Sequence, residues 1–388
     1  MSAEEKILFN INNSPHVRDG DSTPRIMFTV ALALLPALAW SLFVFGWRAL
    51  VPIVSATAAC LLCESVCCWW RGRPNSLRDG SALVTGLLLA AVCPSNLPWW
   101  AAALGGVFAI GIGKQAFGGL GHNFWNPALL ARAFMQVSMP NLMMSGEWPH
   151  IRMLKDTWSQ NPFLDLGGGF AEISERVKSM ADIVTSASGA SSQINLVDVV
   201  TEATALARLS SATSPEAFKP TLMEIAQAWV GGEGGSLGEV SALMLLVGGY
   251  ILLTRRIISW DIPFFFLATA AVLGFVLPHP YRLGDAYAYT DWFQGPWLLH
   301  LGSGGLMLGA FFMATDLVTS PITAKGRRIF AVGCGCMTIL IRLFAGYPEG
   351  VCYAILFMNT CVPFIDSLTR PRVFGKRKPV KKTEPAKG

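Results

Sequence analysis

The chain has 388 residues, 52% of them hydrophobic and only 14% charged, and a mean hydropathy of +0.45. That balance excludes a soluble globular domain of this length and points to a polytopic membrane protein. The net charge of +5 comes with no basic, aromatic-rich module, which excludes nucleic acid as a partner.

Residues 1–25 form a polar N-terminus without the pattern of a cleavable signal. A first membrane half, 26–139, holds apolar runs at Ile26–Gly46, Ala49–Trp70, Ser81–Val92, Trp99–Ile112 and Pro127–Met139. A polar region, 140–237, separates it from a second half, 238–366, with runs at Val240–Leu253, Trp260–Leu277, Trp297–Ala314, Ile329–Ala345 and Val351–Ile365. The expected fold is therefore all-α, with about ten transmembrane helices. Several runs fall short of the ~20 apolar residues of a straight span, so broken or re-entrant helices are expected among them.

Charge orients the layout. Arg71, Arg73 and Arg78 follow the second run, Arg255 and Arg256 the sixth, and Lys325, Arg327 and Arg328 precede the ninth. The positive-inside rule makes their face cytoplasmic. An even number of spans brings both termini to that face, including the basic tail, 367–388, and leaves 140–237 outside the cytoplasm. The membrane lipid is then a partner along the length of the chain.

The halves also resemble each other. Gly80-Ser-Ala-Leu-Val-Thr-Gly-Leu-Leu-Leu-Ala-Ala-Val-Cys-Pro94 is similar to the stretch from Gly302 to Asp316, and Lys114 precedes Gly118-Gly119 much as Arg342 precedes Gly346. Five spans per half make the repeats inverted; shared Gly-rich helix packing is the alternative source of the likeness.

In the outer region, Asp198-Val-Val-Thr-Glu-Ala-Thr204 combines an aspartate with a threonine hydroxyl six places on. Such a hydroxyl can be linked to FMN by a phosphodiester bond when a transferase recognises the residues around it, here Asp198 and Thr201. The plainer reading is a helix start capped by Asp198. Asp182-Ile-Val-Thr-Ser-Ala-Ser188 and Ser210-Ser-Ala-Thr213 are nearby competitors.

The remaining features carry less chemistry. Cys60, Cys63, Cys67 and Cys68 share a helical face but lie in an apolar run, where cysteine packs as a small hydrophobe, so no metal site is expected. Gly111-Ile-Gly113-Lys114 lacks the first glycine and the Ser/Thr of a phosphate loop. Lys114, Arg342, Glu64 and Asp316 stand at or near membrane depth, where a charge costs ~2.5–3.5 kcal/mol. They line a protein-buried or hydrated path, or lie nearer an interface. His122, Asn123 and Asn126 offer hydrogen bonds to a cofactor ring, or simply form a polar turn before a Pro-started helix.

Taken in order, several stretches resemble the D-type subunit of the Rnf ion-translocating electron transport complex, whose family includes the B-type subunit of the sodium-translocating NADH:quinone reductase. They are Ser14-Pro-His-Val-Arg18 with Arg25-Ile-Met27, Asp79-Gly-Ser-Ala-Leu-Val-Thr-Gly-Leu-Leu-Leu89, Gly118-Gly-Leu-Gly-His-Asn123 with Asn126-Pro-Ala128, Leu237-Gly-Glu-Val-Ser241, Phe312-Met-Ala-Thr-Asp316 and Tyr347-Pro-Glu-Gly-Val351. The resemblance implies covalent FMN on Thr204, although Glu202 and Ala205 depart from the commoner form of the motif. It also implies electron exchange between ferredoxin and NAD, coupled to Na+ or H+ movement across the inner membrane of a bacterium. Implied partners are the A, B, C, E and G members of the Rnf complex and a flavin transferase. The same resemblance allows a second, noncovalent flavin such as riboflavin, which no residue locates, and makes Asp316 and Glu349 candidates for lining an ion path. The short N-terminus favours the Rnf branch over the quinone-reductase branch. A redox-inactive transporter and a structural anchor are the competing classes.

Overall fold

The computed structural model describes residues 22–72, 76–144, 220, 222–231, 235–283, 286–345 and 350–370, and they are mostly helical. Pro24 opens the first helix, since its fixed φ suits a first turn and its missing N–H has no partner there anyway. Helix α1 (Thr23–Phe45) ends at Gly46, whose φ of 72° a side chain would resist. A 3-10 turn, Gly46–Ala49, leads into α2 (Leu50–Trp70). Another, Ser76–Asp79, precedes α3 (Ser81–Ala91). Then come α4 (Trp99–Ile110), continued by a π turn over Gly111–Gln115, and α5 (Pro127–Ser138).

Two short helices, α6 (Pro140–Met144) and α7 (Leu222–Val230), lie between the halves. The second half runs through α8 (Ala242–Thr254) and α9 (Asp261–Val276) to a β-hairpin, β1 (Pro280–Leu283) with β2 (Ala286–Tyr289). It continues through α10 (Trp297–Gly302), α11 (Leu306–Leu308) with a π turn over Gly309–Met313, α12 (Ala324–Phe344) and α13 (Val351–Leu368).

One expectation changes, and one of the expected helix breaks is placed. The hairpin, paired from Pro280↔Tyr289 to Leu283↔Ala286, departs from an all-α fold; Tyr281, Tyr287 and Tyr289 sit in a short run of β-favouring residues. The run Trp297–Ala314 is a broken helix, because Gly304 and Gly305 take φ of 68° and 67°, which end one helix and start the next.

Packing uses small residues. Gly106 on α4 lies so close to α2 that a Cβ there would stand 2.8 Å from the Ala56 carbonyl, and one on Gly335 of α12 would stand 3.0 Å from the Phe266 carbonyl of α9. Close backbone approach replaces the hydrophobic effect as the source of helix association in lipid. The outward faces of α1 and α2 expose Leu32, Leu35, Leu62, Val66, Trp69 and Trp70. Two stretches, Thr23–Trp70 and Val351–Leu368, are long and apolar enough to cross a membrane, and Ser81–Ala91, Ala242–Thr254 and Asp261–Val276 are shorter apolar helices.

Candidate functional site

The start of α1, the start of α3, the end of α8 and the two π turns converge on a cleft between the halves, about 750 Å³ counted out to its open mouth. Met27, Phe311 and Phe312 supply apolar wall; Ser81, Thr85, Lys114, Asn123, Asn126 and Asp316 supply the polar groups.

Lys114 reaches this wall because the π turn adds a residue to the last turn of α4, with Ala116 N–H donating to the Gly111 carbonyl at 2.9 Å. Its Nζ donates to Glu64 Oε1 of α2 at 2.9 Å and to Ser81 Oγ at 2.8 Å. Ser76 Oγ donates to the same carboxylate oxygen. The two side chains are only 2% and 1% exposed, so the pair must hold its charges by bonds within the protein, a hydrogen bond from the Gln115 side chain to Glu64 among them. Taking two ions out of water costs several kcal/mol each, on the order of what their attraction returns. Both charges are therefore inside protein and compensated.

Gly118, Gly119 and Gly121, with φ of 125°, 103° and 91°, turn the loop before α5 so that Asn123 and Asn126 face inward while His122 is exposed. Asn126 Oδ1 caps α5 by accepting from Ala128 N–H at 3.1 Å, and its amide donates to the Met313 carbonyl at 3.3 Å. It thereby ties the first half to the second. Asn123 is 9% exposed and its Oδ1 has no hydrogen-bond partner among the described residues. A buried amide oxygen without a donor costs about 1–3 kcal/mol, and here it lies on the cleft. Asp316, half-buried after the second π turn, accepts from Thr319 Oγ1 at 3.1 Å. Chemically the cleft offers an ammonium, a carboxylate and an amide to the edge of a planar ligand, between apolar walls.

Polar groups also gather at the other ends of these helices. Arg342 donates to the carbonyls of His300, Ser303 and Gly304 at 2.7, 2.9 and 2.9 Å, closing the end of α10. His279 Nε2 and His300 Nε2 are 2.8 Å apart and buried. Arg132 of α5 pairs with Glu239 at 3.4 Å, on a segment held to the end of α3 by Leu237 N–H to the Cys93 carbonyl at 3.0 Å.

Among the residues singled out from the sequence, Lys114, Glu64, Asn123, Asn126 and Asp316 meet at or beside the cleft. Thr204, Asp198, Thr201 and Glu349 lie outside the described residues. Arg132 and Glu239 escaped the sequence reading, although an arginine inside the apolar run Pro127–Met139 is the same signal that marked Lys114. The histidine pair carries no such signal, since 21 residues and a hairpin separate its members.

The comparisons agree with this picture of a membrane protein. The NQR2, RnfD, RnfE family model matches residues 10–375. The D-type subunit of an ion-translocating oxidoreductase complex from Stutzerimonas stutzeri is 41% identical over 361 residues, 92% of this chain and 93% of that one. The D-type subunit of a Na+-translocating ferredoxin:NAD+ oxidoreductase complex from Acetobacterium woodii is 39% identical over 95% of this chain and 96% of its own. The proton-translocating counterpart from Clostridium ljungdahlii is 38% identical over 96% and 98%. With relatives aligned from end to end and the family pattern spanning both halves, the chain belongs to the NQR2, RnfD, RnfE family.

Proposed function

We propose that the chain is the D-type membrane subunit of an ion-translocating ferredoxin:NAD+ oxidoreductase complex, working with the other subunits of that complex in a bacterial inner membrane. The single observation that carries this reading is the end-to-end similarity to subunits of that name. Thr204 is the proposed attachment point of FMN, loaded by a flavin transferase that reads Asp198 and Thr201. A second, noncovalent flavin belongs in the cleft. The partnerless Asn123 oxygen supports that assignment, since it offers an acceptor to a ring N–H, with Lys114 and Ser81 beside it. When bound, such flavins supply one-electron and two-electron transfer. The chain's own residues would hold the ring edge, keep water from it and set the charge around it.

Inverted repeats of five helices are the proposed layout. Two patterns support it. Helix α2 packs chiefly on α4 and α3, as α9 packs chiefly on α12 and α10, and α4 meets α5 as α12 meets α13. The cation at the end of the fourth helix of each half donates to the third element at matching positions, Lys114 to the Ser81 hydroxyl and Arg342 to the Ser303 backbone carbonyl. Under this layout the cleft faces the cytoplasm and Thr204 the opposite side, which puts one flavin at each face. Asp316 and Glu349 remain the proposed lining of an ion path.

Two flavin counts test the reading on protein expressed with the transferase. Intact mass and in-gel fluorescence of the denatured chain should show FMN in wild type, Thr213→Ala and Ser188→Ala, and none in Thr204→Ala. Flavin released on denaturation should fall in Asn123→Leu while the covalent FMN persists. An adduct that survives Thr204→Ala moves the attachment site to a competitor, and wild type with no adduct argues for a redox-inactive subunit.

A further inference from the structure

The two halves also meet where α1 begins and α8 ends. A Cβ on Gly248 of α8 would stand 2.2 Å from the Ala33 carbonyl of α1, so the helices touch there. About two turns away, at the ends of both helices, an open depression lies between them, lined by Arg25, Ile26, Thr29, Arg255 and Ile257. Ile26 and Ile257 line the cleft as well, so the depression adjoins its mouth. Arg25 and Arg255 are both exposed, and each comes from a different half. Packing thus brings two like charges to one depression, an arrangement whose repulsion an anion between them would turn into attraction. Arg256, with a φ of 56°, adds a second sign. Its left-handed turn closes α8, with the Ile257 N–H donating to the Leu252 carbonyl at 3.0 Å. A third exposed cation therefore occupies a position where glycine is the unstrained choice. Beyond these cations the helix faces are apolar. Arg25, Phe28, Thr29 and Leu32 share one face of α1 by their i, i+3, i+4 and i+7 spacing, and Phe28 and Leu32 are exposed. On α8, Ile251 and the exposed Val247 precede Arg255 by about one and two turns.

We propose that this depression binds the phosphate of an anionic phospholipid whose acyl chains run along the flanks of α1 and α8. A cationic rim over an apolar flank matches an amphiphile with a negative head. Arg25 and Arg255 donate to the phosphate oxygens, a geometry that suits the planar guanidinium. Phe28, Leu32 and Val247 meet the hydrocarbon. A zwitterionic lipid presents the same phosphate with its own cation beside it, which the three arginines repel, so the site selects net negative charge. The bound head walls the cleft at Ile26 and Ile257. None of this depends on what occupies the cleft.

The test uses the purified whole complex in phosphatidylcholine nanodiscs, supplied with phosphatidylglycerol or phosphatidylcholine that carries a diazirine on an acyl chain. After photolysis, peptide mapping should place the phosphatidylglycerol label on residues 26–35 and 243–251 of the wild-type chain, with far less label from phosphatidylcholine. The phosphatidylglycerol needed for half-maximal labelling should rise about fivefold in Arg25→Gln and in Arg255→Gln, and about 25-fold in the double variant, each basic side chain at an anionic surface being worth ~1 kcal/mol. Arg25→Lys/Arg255→Lys, which keeps both charges, should stay nearer wild type. If the double glutamine variant fails to assemble, the two single variants give the same reading. Equal labelling by the two lipids overturns the proposal, as do glutamine variants that label like wild type. Wild type unlabelled in these segments also overturns it, and a partner subunit covering this face is then the reading. Label displaced by millimolar inorganic phosphate at constant ionic strength assigns the arginines to the free ion and overturns the lipid.

Discussion

At the scale of single residues, the Lys114–Glu64 pair shows why composition alone is a poor guide to buried charge. The pair is 2% and 1% exposed, and removing one partner leaves the other uncompensated. Lys114→Met should therefore destabilise the chain by about 3–5 kcal/mol. The double variant with Glu64→Gln should recover most of that loss, because a neutral pair has no ion left to desolvate. Thermal unfolding in detergent checks the order, and a double variant no more stable than Lys114→Met would show that shape rather than charge holds this site. The charged groups of the cleft were legible in the sequence, since a glutamate inside an apolar run and a lysine and an aspartate just past the ends of two others are costly enough to announce themselves. What was not legible is which group meets which. The Lys114 bond to Glu64 spans 50 residues, and no periodicity encodes a contact that two separate helices make.

Among the elements, the two π turns and the break between α10 and α11 matter most. Helix limits followed from hydropathy to within a few residues for α2, α3 and α5, because a helix set against lipid, or buried among other helices as α3 is, is apolar along most of its length. The position of the break did not, since hydropathy over Trp297–Ala314 runs on across it and the local geometry of Gly304 and Gly305 divides it. Arg342 makes the break tolerable by donating to three carbonyls at the end of α10. A helix C-terminus carries partial negative charge and unpaired carbonyls, and a guanidinium answers both. Arg342→Met should cost at least ~2 kcal/mol, since buried carbonyls lose their donors. Arg342→Lys should fall between, having the charge without the planar fork. Hydrogen exchange should rise over residues 298–305 in Arg342→Met, and exchange equal to wild type would remove the capping role.

For the whole molecule, the question is which face each site serves. Arg25 and Arg255 line one depression at the start of α1 and the end of α8. Arg327 Nη2 and Arg328 Nε reach Asp261 at 3.3 and 2.9 Å, bringing the start of α12 to the start of α9. Arg255, Arg327 and Arg328 are among the residues that the proposed layout puts on the cytoplasmic side by the positive-inside rule. The proposed ten spans then require residue 388 and the cleft to face the cytoplasm, with Thr204 opposite. Alkaline phosphatase fused after residue 189 should be active and the same enzyme fused after residue 388 inactive, with green fluorescent protein giving the reverse. Both fusions reporting the same side would mean an even number of crossings between them. The flavin-bearing region and the tail would then share a face, and electrons would have no membrane to cross between Thr204 and the cleft.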